Sequence, residues 1–127
     1  MARVIGIGGV FFKSQDPTKL QAWYCQHLGI DADTEGYIVF GWRDKQDPQQ
    51  EHSTVWSAFP HDTTYFDPTS ASHMFNYIVD DLDGMLEQLR AAGARIDDKI
   101  EEYEYGRFGW AIDPEGVRFE LWQPTTR

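Results

Sequence analysis

The sequence predicts an α+β fold built from two copies of a strand–helix–strand–strand–strand unit. Three observations point to it. Two short amphipathic segments, each opened by aspartate and closed by glycine, begin at Asp16 and Asp80, 64 positions apart in a chain of 127. Their apolar stripes align at an offset of 62: Leu20 with Leu82, Trp23 with Met85, Tyr24 with Leu86. Each segment follows an apolar run and precedes short runs of β-branched and aromatic residues. A repeat of this length marks a duplicated supersecondary unit. The first unit covers about residues 1–59, a linker 60–72 and the second unit about 73–127, all within one domain.

The first run, Val4 to Phe12, reads as a strand in which glycines mark close backbone approach. Asp16 then caps a helix with Pro17 at its first position, and Gly29 ends it. Strands are expected over Tyr37–Arg43 and Ser53–Phe59, joined by the polar stretch Asp44–His52. The linker has no period and two prolines, Pro60 and Pro68, but its Tyr65 and Phe66 must dock on something. In the second unit Met74–Val79 reads as a strand. Asp80 or Asp81 caps a helix striped by Leu82, Met85, Leu86 and Leu89, and Gly93 stops it. Strands follow near Lys99–Glu104, at Phe108–Ile112 and at Val117–Trp122, the last two joined by the turn Asp113-Pro114-Glu115-Gly116.

Composition narrows the function. Hydrophobic residues at 41% and charged residues at 25% fit a folded globular chain. A formal charge of −10 repels phosphate backbones and anionic lipid, so neither nucleic acid nor membrane is an expected partner. No apolar run is long enough to span a bilayer or to serve as a secretory signal, and a cytoplasmic location is the expectation. The single cysteine, Cys25, rules out an internal disulfide and a four-cysteine zinc site. Aromatic residues at 15% exceed what a small core needs and hint at a pocket or interface.

The paired units, the Asp-Pro and Asp-Asp helix openings and the closing run Asp113-Pro114-Glu115-Gly116-Val117-Arg118-Phe119-Glu120-Leu121 resemble the vicinal oxygen chelate superfamily. That group includes glyoxalase I, extradiol dioxygenases and bleomycin-resistance proteins. The resemblance spans nearly the whole chain. It implies an eight-stranded cup of curled sheet with helices outside, commonly in a homodimer. The cup would hold a small-molecule ligand and, in the enzymes, a divalent metal. The metal ligands of such relatives come from the first and last strands of each unit. Glu120 matches the last of these positions. The others fall near Gly9, near Trp56, Ser57 or Ala58, and at Met74, none of which supplies a carboxylate or imidazole. His73 is adjacent, but neighbouring strand residues face opposite ways. A catalytic metal usually needs about three protein ligands. The expectation is therefore a cup without cofactor; were Zn, Ni, Mn or Fe held, Glu120 and His73 would be the ligands.

The period of a strand places Arg118, Glu120 and Trp122 on one face and Val117, Phe119 and Leu121 on the other. The first set faces the cup, where Arg118 can pair with Glu120. Asn76 shares its face with Met74 and Ile78 and brings both a donor and an acceptor. With Phe11, Trp56, Phe59, Trp110 and Trp122, these residues compose an aromatic site with a few polar groups, fit for a small molecule. Three functions remain open: binding of an aromatic or cationic molecule without turnover; a metal-dependent lyase or isomerase like glyoxalase I; or a metal-free enzyme with Glu120 as general base.

Overall fold

The computed structural model of the protein describes residues 1–125. The elements run β1 (Val4–Ser14), α1 (Pro17–Leu28), β2 (Ile38–Arg43), β3 (Glu51–Pro60), β4 (His73–Val79), α2 (Leu82–Ala91), β5 (Arg95–Ile96), β6 (Glu101–Tyr103), β7 (Gly106–Ile112) and β8 (Arg118–Pro124). All eight strands join one mixed sheet in the order β2-β3-β1-β4-β8-β7-β5, with β6 also on β7. No helix among the described residues is long and apolar enough to cross a membrane.

The duplication appears as approximate two-fold symmetry. β1 and β4 pair antiparallel at the centre; β1 pairs parallel with β3, and β4 parallel with β8. The strands divide three and five between the units, where the sequence predicts four and four. The missing strand of the first unit is replaced by a turn: Asp33 Oδ1 accepts from the backbone N–H groups of Glu35 and Tyr37, both at 2.9 Å. An aspartate that bonds its own backbone in this way competes with sheet pairing. The extra strand, β5, is two residues long, too short for alternation to reveal.

The helices are set by their caps. Asp16 accepts from Lys19 N at 3.1 Å, Pro17 fills the first turn, and Gly29 takes a left-handed φ of 69°. Asp81, and not Asp80, caps α2, accepting from Gly84 N at 3.1 Å. Asp80 instead accepts from Arg3 N at 2.9 Å. α2 buries Leu82, Met85 and Leu86 against Val79, Leu121 and Ala2. α1 buries none of its residues fully: Trp23 and Leu28 remain 52% and 59% exposed, and Tyr24 meets the ring of Trp56 at 5.0 Å. A second core lies inside the curl of the sheet, where Phe11, Phe66, Met74 and Trp110 pack together.

Candidate functional site

The inner floor of the curl is formed where the two parallel strand pairs meet. Gly9 is opposite Val55 in β1–β3, and Asn76 is opposite Glu120 in β4–β8; Gly9 and Asn76 are themselves cross-strand partners. Four positions related by the internal two-fold thus converge, and only one carries a charge. A register shift between Ile7 and Gly9 turns both Gly8 and Gly9 toward Asn76. A Cβ on Gly9 would sit 2.6 Å from the Phe11 ring, and one on Gly8 would collide with Asn76 Oδ1. Glycine is therefore required by close approach.

Glu120 is 3% exposed and accepts three hydrogen bonds. Asn76 Nδ2 donates to Oε1 at 2.6 Å, Trp110 Nε1 donates to Oε2 at 3.0 Å, and the Tyr65 hydroxyl donates to the same Oε2. Burial pushes the Glu120 carboxyl above its ordinary range; the donors Tyr65, Asn76 and Trp110 and the nearby Arg118 oppose that push without cancelling it. The Tyr65 phenol is held protonated, by burial first and then by the negative charge of Glu120. Asn76 is 2% exposed, and its Oδ1 has no partner.

Above this floor opens a cavity of about 320 Å³. Phe11, Val55, Tyr65, Phe108, Trp110 and Trp122 line it, with Phe108 and Trp122 stacked at 5.7 Å. Tyr103 and Tyr105, stacked at 5.3 Å and 49% and 59% exposed, stand at the mouth. Glu101 lies beside them. Its Oε1 accepts from the Tyr103 hydroxyl at 2.5 Å, and its Oε2 pairs with Lys99 Nζ at 2.7 Å. Lys99, then Tyr103, holds the Glu101 carboxyl below the usual range. Two carboxylates line the cavity, and no lysine, arginine or histidine does among the described residues.

A family profile described as a glyoxalase-like domain matches residues 9–122. The chain belongs to this family. No curated protein sequence matches this glyoxalase-like chain. Solved structures do. Methylmalonyl-CoA epimerase of Streptomyces coelicolor, in complex with 2-nitronate-propionyl-CoA, superposes with a TM-score of 0.69 at 14% identity, over 98% of this chain and 100% of that one. Methylmalonyl-CoA epimerase of Mycobacterium tuberculosis gives 0.58 at 20% identity, over 97% and 90%. A glyoxalase/bleomycin resistance protein/dioxygenase superfamily member of Vibrio splendidus 12B01 gives 0.58 at 16%, over 97% and 99%. These likenesses are of fold.

Within this glyoxalase-like cup, Phe11, Asn76, Glu120 and Trp122 come together on the faces that strand alternation gives them, and Trp110 joins them. Phe59 stands behind the wall, stacked on Tyr65 at 5.5 Å. Arg118 shares the face but makes no ion pair with Glu120: it donates to the Tyr65 carbonyl at 2.6 Å, pairs with Asp97 at 3.3 Å and lies over the Trp110 ring at 5.2 Å. Its reach is taken by the linker and by the segment after β5. Trp56, expected in the cup, lies on the opposite face of β3, against Phe12 and Tyr24 of the α1 side. The inward residue is its neighbour Val55, a one-residue slip that reverses the face. The β4 position beside Glu120 is Asn76 and not Met74, a two-residue shift that keeps the face. His73 lies across the strand from the cup, on the face of Phe75, whose ring it meets at 5.2 Å. The lining residues that the sequence did not assign to the site include Gly8, Val55, Tyr65, Glu101, Tyr103 and Phe108. Tyr65 was signalled only as a linker aromatic in need of a partner. Tyr105 stands over the mouth, while Arg107 of the same hairpin turns away to Asp83, at 3.0 and 3.2 Å.

Proposed function

We propose that the chain binds a small aromatic or cationic molecule in the cup, without a metal, as a homodimer. The observation that carries this reading is the lining: aromatic walls, two carboxylates and no positive side chain. Ring faces attract both flat apolar groups and cations, and the carboxylates select against anions. The chain charge of −10 works in the same direction and opposes an acyl-coenzyme A of the kind bound by the Streptomyces epimerase.

The floor does not fit a divalent metal. Gly9 and Val55 offer no side-chain donor atom, the unpartnered Oδ1 of Asn76 adds a single neutral oxygen, and the space a side chain at Gly9 would need is filled by the Phe11 ring. Both oxygens of Glu120 already receive hydrogens from Asn76, Trp110 and Tyr65, and a catalytic site needs about three protein ligands. The upward push on Glu120 favours a second reading, a metal-free lyase or isomerase in which this carboxylate takes a proton from the substrate.

Trp110 and Trp122 make the cup a fluorescent reporter. Titration with a panel of aromatic cations is expected to quench them saturably, while metal analysis after chelator-free purification finds no stoichiometric ion and sedimentation gives twice the chain mass. Absence of quenching across the panel would refute the ligand reading. An ion bound one to one and lost in Glu120→Gln would refute the metal-free one. Turnover lost in Glu120→Gln with binding retained would select the general-base alternative.

A further inference from the structure

The cup holds two carboxylates in unlike states. Glu120, at the floor, is closed off by three donors, and burying a ligand cation beside it would require stripping that cation of water. Glu101, at the mouth, keeps its side chain 26% exposed and stands next to the half-exposed Tyr103 and Tyr105. A positive group resting there keeps part of its hydration while meeting ring faces and a carboxylate together, the setting in which cation–π attraction is effective. The β6–β7 hairpin that presents these residues is anchored from outside by Arg107, which grips Asp83 of α2 at 3.0 Å and lies 3.6 Å from Glu102.

We infer that the ligand enters ring first, with its ammonium group left at the mouth against Glu101, Tyr103 and Tyr105, and that Lys99 is a built-in competitor for that place. This rests on the reading of the cup as a binding site and adds orientation and charge recognition to it. Lys99 Nζ sits 2.7 Å from Glu101 Oε2, yet its side chain is 66% exposed and is not part of the cavity wall. It occupies the oxygen that an incoming ammonium needs. An exposed pair of this kind is weak, so the competition is modest and reversible.

The test uses two probes of matched shape, phenethylamine, protonated at neutral pH, and its uncharged N-acetyl derivative, with affinities read by calorimetry. Lys99→Met is expected to tighten phenethylamine roughly two- to fivefold, the range of an exposed ion pair, and to leave the acetylated probe unchanged. Glu101→Gln is expected to remove the preference for the charged probe. Lys19→Met, on α1, which packs on β1 and β3, removes the same charge away from the mouth and is expected to change neither. Equal effects on both probes, or tightening by Lys19→Met as large as by Lys99→Met, would overturn the clamp while leaving the cup reading in place. Failure of both probes to bind the unaltered chain would instead overturn the cup reading.

Discussion

The Glu120 carboxyl has exchanged water for the hydroxyl of Tyr65, the amide of Asn76 and the indole N–H of Trp110. Burial favours the neutral acid, the donors favour the anion, and burial prevails. The sign for stability follows. Below the ordinary carboxyl value near 4.5 the group is neutral in folded and unfolded chains alike. As pH rises, the unfolded chain ionises freely while the folded chain must ionise a buried group, so the stabilisation present at low pH is lost up to the raised folded value. Unfolding free energies of the native chain and Glu120→Gln, compared from pH 4 to pH 8, should show the native chain losing ground to the variant as pH increases. A native chain that gains ground instead would mean that the donors outweigh burial. Of this cluster the sequence discloses Glu120 and Asn76, because strand alternation assigns them a face, and Trp110 only as a candidate aromatic of the cup. It does not disclose Tyr65, which arrives from a loop with no period to orient it.

The two helices show how far local signals reach. Caps and stops are chemical punctuation, readable wherever an aspartate precedes a helix and a glycine follows it, and both helices are found within a residue or two of their expected ends. What a stripe packs against is not local. The stripe of α2 meets Val79, Leu121 and Ala2 and is buried; the stripe of α1 meets little beyond Trp56 and leaves Trp23 and Leu28 half in solvent. The same limit explains β5, too short for a pattern, and Trp56, whose face depends on a register that the sequence fixes only to within one residue. The consequence is an unequal response to the same truncation. Leu86→Ala, at a position 3% exposed, should cost about 2–4 kcal/mol, whereas Leu20→Ala, on the half-buried face of α1, should cost roughly 1 kcal/mol or less. Denaturant titration of both variants decides it, and equal losses would show that α1 is as firmly docked as α2.

A duplicated chain could behave as two small domains or as one, and the halves here have unequal cores. The first unit keeps an open helix face, and the second contains the compact cluster beneath α2. Independence would follow if each core stopped at its own unit, but neither the sheet nor the inner core does. β1 and β4, one from each unit, are neighbours at the middle of the single sheet, so separating the units would strip both of a backbone ladder. Inside the curl, Phe11 of the first unit packs with Met74 and Trp110 of the second, and the linker inserts Phe66, wholly buried, between them. Neither half can hide this cluster alone, and a unit of about sixty residues has little surplus apolar burial with which to stand by itself. Unfolding should therefore be a single transition. Far-UV circular dichroism, which follows both helices, and tryptophan fluorescence, which follows Trp23, Trp42 and Trp56 in one unit and Trp110 and Trp122 in the other, should give coincident curves, with calorimetric and van't Hoff enthalpies equal. An early fluorescence change that leaves part of the ellipticity intact would mean that the first unit opens while the second persists, and the cup would then be an interface between two domains.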